Sequence, residues 1–245
     1  MMGNRRLVLD AGNTRVKQAL FQGDTLLEVQ YFPTESYLQQ TLPRADMAAF
    51  ATVSLSEAAI MDALQAANVR NYTFFAPYDE LPFPSDYTTP QTMGQDRKAG
   101  IFAALARFPK KAALVLSLGS CITADLLTAE GRHLGGDISP GYRMRLQAMH
   151  TFTRRLPLPD AEKLAPNWGT DTETALLAGA FGGMLAELEG RISSAEALFG
   201  ELTVILTGGD AALFEKRLQK QIFAEPNLAL YGLNALLDKT FFGGK

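Results

Sequence analysis

Leu7-Val8-Leu9-Asp10-Ala11-Gly12 returns in the second half of the chain as Leu114-Val115-Leu116-Ser117-Leu118-Gly119. Each copy is an apolar run that ends in a small polar loop, Asn13-Thr14 in the first and Ser120-Cys121 in the second. What surrounds the two copies repeats as well. Residues 5–10, 15–21 and 25–32 read as three strands, with Gln22-Gly23-Asp24 as the second turn. Residues 112–117, 122–127 and 133–138 read the same way, with Glu130-Gly131 at the matching turn. One long-period repeat of this kind indicates a duplicated domain rather than a solenoid.

Each half continues with helices and a further strand. In the first, 50–54 and 72–75 read as strands, 56–67 and 96–107 as helices, and the proline-rich stretch 76–93 as an ordered loop. Helical pattern also appears at 35–41, between Pro33 and Pro43. In the second, a helix is expected at 172–195, a strand at 202–206, and helices near 211–220 and 231–239. The expected fold is α/β, with duplicated domains at residues 1–111 and 112–245.

The composition is that of a globular protein: 245 residues, 47% hydrophobic and 20% charged, with a net charge of −3. That charge leaves no global basic footprint for nucleic acid. Cys121 is the single cysteine, which excludes an internal disulfide framework and fits a reducing compartment. The apolar run at 7–9 is too short for a signal-peptide core, and 112–124 is too short to span a bilayer. A soluble, cytoplasmic protein is expected. His133 and His150 have no partners at ligand spacing, so no zinc site is expected.

Five short motifs carry chemistry. In Asp10-Ala11-Gly12-Asn13-Thr14-Arg15-Val16-Lys17 a strand-end carboxylate precedes a turn whose amides and Thr14 hydroxyl suit phosphate oxygens, with Lys17 adding charge. By itself this stretch reads equally as an ordinary hairpin turn. Gly119-Ser120-Cys121-Ile122-Thr123-Ala124-Asp125 is its counterpart, with hydroxyls at Ser120 and Thr123 and a carboxylate at Asp125. Gly94-Gln95-Asp96-Arg97 opens a helix, where an acid also simply favours the helix dipole. Gly135-Gly136-Asp137-Ile138-Ser139-Pro140-Gly141 is turn-rich and enters another helix. Thr207-Gly208-Gly209-Asp210 ends a strand with a backbone that a nucleotide can approach closely.

Taken in order, these motifs resemble those of type III pantothenate kinase, and the likeness runs from Asp10 to about Gly232. The paired halves likewise resemble the acetate kinase–sugar kinase–actin superfamily. The resemblance implies two actin-like (ribonuclease H-like) domains facing across a nucleotide cleft. It also implies ATP-dependent phosphorylation of pantothenate, the first step of coenzyme A biosynthesis. By the same resemblance, residues 10–17 form the ATP-phosphate loop, Asp10 holds Mg²⁺ through water, and Asp96 is the proton acceptor. Tyr87, Gly94, Gln95, Asp96, Arg97 and Thr172 fall on the pantothenate-binding positions. Ser120, Thr123, Thr128, Gly208 and Gly209 fall on the ATP side, and Asp125 on a monovalent-cation (K⁺ or NH₄⁺) ligand. A homodimer is implied too, with no nucleic acid or membrane partner.

Two features of the residues bear on this. The family's second loop usually reads Gly-Thr-Ala-Thr-Thr, so Cys121 and Ile122 depart from it while Ser120 keeps a hydroxyl. Arg97, with its planar fork, is a candidate partner for the pantothenate carboxylate. The alternatives are a non-catalytic transcriptional accessory factor of the same fold, or another kinase or phosphatase of the superfamily. Arg143, Arg145, Arg154 and Arg155 read as a solvated or dimer-facing surface, and Trp168 is expected to pack beside the segment that presents Thr172. The apolar face Leu176, Leu177, Ala180, Phe181, Met184, Leu185 and Leu188 is expected to meet a second copy.

Overall fold

The computed structural model describes residues 4–75, 81–163 and 165–243. Residues 76–80 of the proline-rich loop therefore lie outside the described residues. In the first half the elements are β1 (Arg5–Ala11), β2 (Arg15–Gln22), β3 (Thr25–Pro33), β4 (Met47–Thr52), α1 (Glu57–Ala66), β5 (Asn71–Phe74) and α2 (Gln95–Arg107). A 3₁₀ helix, Thr34–Gln39, follows β3, and a shorter one, Pro90–Thr92, precedes α2. The second half holds β6 (Ala113–Leu118), β7 (Cys121–Leu127), β8 (His133–Pro140), α3 (Tyr142–Phe152), α4 (Thr172–Phe199), β9 (Thr203–Thr207), α5 (Ala211–Glu215), β10 (Phe223–Ala224) and α6 (Leu228–Phe242).

The two sheets have one topology. The first runs β3-β2-β1-β4-β5 and the second β8-β7-β6-β9-β10. In each, the hairpin strands pair antiparallel and the last two join parallel. The repeat in the sequence is thus a repeat of sheets. The turns are not identical. Residues 12–15 lie between the paired Ala11 and Val16, whereas only 119–121 lie between Leu118 and Ile122. The second hairpin loop is one residue shorter than the first.

The chain divides into two compact units, residues 1–109 with 227–245, and residues 110–226. The last helix therefore belongs with the first sheet, not with the second half as expected. Its apolar residues Leu230, Leu233, Leu236 and Leu237 pack in one cluster with Val8, Ala19, Phe21, Ala49 and Ala99. The opposite face of that sheet packs Leu7, Leu9 and Phe50 against Ile60 and Leu64 of α1. β1 is thus buried on both faces, as its unbroken apolar run requires. β4 starts at Met47 rather than 50, because Met47, Ala48 and Ala49 are also buried there.

In the second unit Leu114, Leu116, Ile122 and Leu206 share a core with α3, α4 and α5. The Asp171–Thr174 capping box starts α4. Its buried stripe includes Leu176, Leu177, Ala180, Met184 and Leu188, with Phe181 and Leu185 partly buried on the same core. The face expected to meet a second copy therefore covers the helix's own sheet, while Gly179, Gly182 and Gly183 are exposed. Trp168 does not pack as expected; it is 89% exposed. Gly169 takes the close position instead, since a Cβ there would lie 2.1 Å from the Ala175 nitrogen. Among the described residues no helix is long and apolar enough to cross a membrane, and no cluster of three or more His, Cys, Asp or Glu suits a metal ion.

Candidate functional site

In the first unit the hairpin between β1 and β2 is braced from behind. The Gly12 carbonyl accepts from the Thr34 and Ser54 hydroxyls, both at 2.8 Å, while the Ala11 carbonyl accepts from the Val53 nitrogen at 3.0 Å. The Thr34 nitrogen donates to the Thr14 carbonyl at 3.2 Å, and the Gly12 nitrogen to the Arg15 carbonyl at 3.1 Å. With the carbonyls of Ala11, Gly12, Thr14 and Arg15 occupied, Asn13 and Thr14 stand exposed at the tip. Sequence reasoning missed Thr34 and Ser54. Their only signal was a hydroxyl just beyond each neighbouring strand. Arg15 lies over the Tyr31 ring at 5.2 Å, and with Asn13, Thr14 and residues 31–35 it lines a cavity of about 570 Å³.

Asp10 sits near the end of β1, opposite Lys17 in the β1–β2 register. Burial, the largest cause, raises its pKa from 3.8 to about 6; Asp96 pushes it further up, while Lys17 and Arg15 pull it down. Asp10 and Asp96 are thus brought within electrostatic reach, although most of a domain separates them in sequence.

Asp96 is exposed in the first turn of α2, and its Oδ1 accepts from the Arg97 nitrogen at 2.9 Å. Gly94 makes that pose possible: a Cβ there would stand 2.5 Å from Asp96 Oδ1. Gln95 is buried and anchors the helix start. Its Oε1 accepts from the Thr52 nitrogen at 2.9 Å and its Nε2 donates to Glu57 at 2.7 Å. Both ends of its amide serve the scaffold. Arg97 is 7% exposed, with its guanidinium 5.4 Å from the centre of the Tyr87 ring. Two residues assigned to one substrate are therefore neighbours.

In the second unit three segments meet at the shorter hairpin. Gly208, at φ +97°, sits where a Cβ would be 2.2 Å from the Leu118 oxygen, and the Asp210 nitrogen donates to that oxygen at 3.0 Å. Only glycine suits both that backbone and that approach. A Cβ on Gly141 would lie 2.1 Å from the Gly119 oxygen, and the Gly141 nitrogen donates to the Ser120 oxygen at 3.1 Å. The Gly-Gly turn, the start of α3 and the Ser120 loop thus form one backbone-lined surface, with Ser120 and Gly209 exposed. Arg143 of α3 pairs with Asp210 and with Glu162, and Arg145 with Glu187, so these two arginines are engaged in ion pairs.

Thr128 does not join this surface. It follows β7 while Ser120 precedes it, a separation of roughly 25 Å along an extended strand. Its hydroxyl accepts from the Glu130 and Arg132 nitrogens and so caps the β7–β8 turn. Asp125 lies inside the sheet. It is 2% exposed, its Oδ1 lies 3.0 Å from Nε2 of the fully buried His133, and a Cβ on Gly136 would stand 2.7 Å from the same oxygen. In the sheet it pairs with Val115 and Gly136. The imidazole of His133 is thus one hydrogen-bond partner of this carboxylate. Thr172 is exposed at the start of α4.

A family model described as type III pantothenate kinase matches residues 6–194. A type III pantothenate kinase from Christiangramia forsetii is 38% identical over 240 residues, covering 95% of this chain and 97% of that protein. Among solved structures, a chain described as a Baf family transcriptional activator from Campylobacter jejuni gives a TM-score of 0.62 at 22% identity, covering 95% and 97%. A ROK family glucokinase from Streptomyces griseus gives 0.53 at 8% identity, covering 95% and 98%. At such identities the two structures speak of fold alone, which is the actin-like fold of the sugar kinases. The family match, by contrast, includes both hairpin loops and the Asp96 segment, and the chain belongs to the type III pantothenate kinase family.

Proposed function

We propose that Asp96 is the base, and residues 10–17 the first phosphate grip, of an ATP-dependent pantothenate kinase. As a member of its family, the chain phosphorylates pantothenate in the first step of coenzyme A biosynthesis. The observation that supports the residue roles is the placement of Asp96 within electrostatic reach of Asp10, in a loop braced to present donors.

Phosphorylating a primary alcohol requires a base within reach of the hydroxyl and fixed donors around the transferring group. Asp96 is exposed and folded back over Gly94, so its carboxylate is open to a substrate hydroxyl. In the first unit Asn13, Thr14 and Lys17 offer donors and charge to a phosphate; in the second, Ser120, Thr123 and the Gly208–Gly209 backbone offer donors of the same kind. Arg97 over Tyr87 offers a cation and a ring to the carboxylate end of pantothenate. Gly94, Gln95 and Thr172 complete the pantothenate set, Gln95 as the scaffold for its neighbours.

Mg²⁺ fits the first unit. Asp10 is a carboxylate whose ionised form is disfavoured by burial and by Asp96, a cost that a nearby cation removes. Asp10 would hold the ion through water, and the ion neutralises charge on the phosphate oxygens.

The reading includes a homodimer in the cytoplasm. The exposed face of α4 carries Ala175, Gly179, Gly182, Ala186 and Gly190, and small residues let two backbones approach closely. The single free thiol is consistent with a reducing compartment.

A coupled ADP-release assay with pantothenate, with a panel of sugars, and with no acceptor tests the reading. ADP release is expected with pantothenate alone. Equal release with a sugar, or with no acceptor, would sink it.

A further inference from the structure

The turn that leaves β4 touches both the first hairpin loop and the start of α2. β4 lies parallel beside β1, with Ala51 opposite Asp10 and Thr52 opposite Ala11. The Thr52 hydroxyl closes the turn on itself: it donates to the Leu55 carbonyl and accepts from the Leu55 nitrogen, both at 2.9 Å. On one side the turn holds the hairpin loop, through Val53 to Ala11 and Ser54 to Gly12. On the other it holds α2, where the Thr52 nitrogen donates to Gln95 Oε1 at 2.9 Å. Gln95 directly precedes Asp96 and is 8% exposed. Its Nε2 donates at 2.7 Å to Oε1 of Glu57, the partly buried first residue of α1.

We infer that Glu57 is a positioning residue of the transfer step, fixing Asp96 relative to the first hairpin loop by holding the Gln95 amide. This rests on the kinase reading above. A side-chain amide as buried as that of Gln95 needs partners at both ends, since a lost one leaves a desolvated donor. Glu57 is a charged acceptor, and bonds to ionised groups are the stronger kind. With Glu57 in place, Gln95 Oε1 faces Thr52 and the start of α2 keeps one distance from β4. Without it the amide turns, and the base moves with the helix start. The rival role for Glu57 is local, because an acid in the first turn of a helix favours the helix dipole. The two roles separate at Glu57→Gln, which keeps an acceptor oxygen for Gln95 but loses the charge.

The test compares wild type with Glu57→Ala and Glu57→Gln, each alone and with Asp96→Asn, by pantothenate-dependent ADP release. Glu57→Ala is expected to lower kcat about 10- to 100-fold, the effect of a slightly displaced catalytic group. Its KM for ATP should stay within about twofold of wild type. Glu57→Gln is expected to keep kcat within about threefold. In the Asp96→Asn background Glu57→Ala should cost nothing further, because both changes act on one group. Wild-type kcat in Glu57→Ala, a Gln variant as impaired as the Ala one, or an equal further fall beside Asp96→Asn would each overturn the inference and leave the kinase reading standing. Should Glu57→Ala fail to fold, Gln95→Glu at pH 8 takes its place, since it sets a second carboxylate against Glu57. Adding Glu57→Gln should then recover the lost activity, and no recovery would overturn the inference. No pantothenate-dependent release from wild type would instead sink the kinase reading. Amide hydrogen exchange then decides at Thr52, whose nitrogen donates to Gln95, and at Lys98, whose nitrogen donates to the Gly94 carbonyl. Faster exchange there in Glu57→Ala, restored in Glu57→Gln, supports the inference, and unchanged exchange overturns it.

Discussion

Asp96 raises the pKa of Asp10 through space, although one ends β1 and the other opens α2. Burial and this repulsion together lift Asp10 to about 6 from an ordinary 3.8. A carboxyl raised in this way binds its proton more tightly folded than unfolded. Its ionised form therefore costs stability, fully above about pH 6 and not at all below about pH 4.

Asp10→Asn should accordingly stabilise the metal-free protein at pH 8, by on the order of 1–3 kcal/mol. The gain should shrink as the pH falls through 6 and vanish near 4. Mg·ATP should raise the melting temperature of wild type more than that of the variant. Calorimetry at the two pH values checks this, and a destabilised variant at pH 8 would contradict the burial argument.

Asp96→Asn keeps the shape and removes the base. Its side chain is exposed and touches only its own helix start, so the melting temperature should move little. Turnover should fall about 10²- to 10⁴-fold while ATP binding persists. Isothermal titration with ATP beside steady-state kinetics separates the two effects. Near wild-type turnover would remove Asp96 from the mechanism.

Gly94→Ala tests the pose of that carboxylate. The backbone at Gly94, φ −54° and ψ 139°, is open to alanine, so no backbone strain arises. Only the added methyl matters, since it would stand 2.5 Å from Asp96 Oδ1. The side chain must turn away, and kcat should fall at least about tenfold, as for other small misplacements of a catalytic group. The melting temperature should stay within a few degrees. An unchanged kcat would show that the folded-back pose is not the reactive one.

Much of this was legible in the residues, and what was not has a physical reason. The hairpin copies could be read because alternation and loop chemistry are local. The home of α6 could not, because Leu230, Leu233, Leu236 and Leu237 announce a face to be buried without saying which sheet buries it. The braces on Gly12 were invisible for a related reason: Thr34 and Ser54 reach it from two other segments. The side-chain partner of Asp125 was also out of reach: its spacing from Gly119 suggested a ligand, and only the folded chain shows its Oδ1 3.0 Å from His133 Nε2. Thr128 lies at the far end of β7, since a strand carries each successive residue about 3.3 Å further from the loop.

The attachment of α6 can be probed at Arg6, which is 7% exposed. Its Nη1 and Nη2 donate to the two Asp238 oxygens at 3.0 and 2.6 Å, and Nη1 also reaches Asn234 at 3.3 Å. Arg6→Met removes a two-pronged ion pair between β1 and the last helix and leaves Asn234 short of a partner. A loss of about 1–3 kcal/mol is expected, read by urea unfolding. Arg6→Met with Asp238→Leu should recover part of it, because the stranded carboxylate is then gone. No loss in the single variant would mean that apolar packing alone holds α6.

The dimer proposal meets its sharpest test at Gly182. A Cβ there would find nothing within 4 Å in its own subunit, so leucine at this position does no damage inside the fold. The helix should even gain, since glycine costs about 1 kcal/mol of helix propensity relative to a good helix former. If two copies meet across the exposed glycine face of α4, Gly182→Leu separates them. The variant should run as a monomer in multi-angle light scattering while melting no lower than the isolated wild-type subunit. Thr172 begins the same helix and is exposed. Loss of the partner should therefore raise the KM for pantothenate more than that for ATP. A variant that remains dimeric, or a wild type that is monomeric at micromolar concentration and fully active, would show that this face is simply solvated.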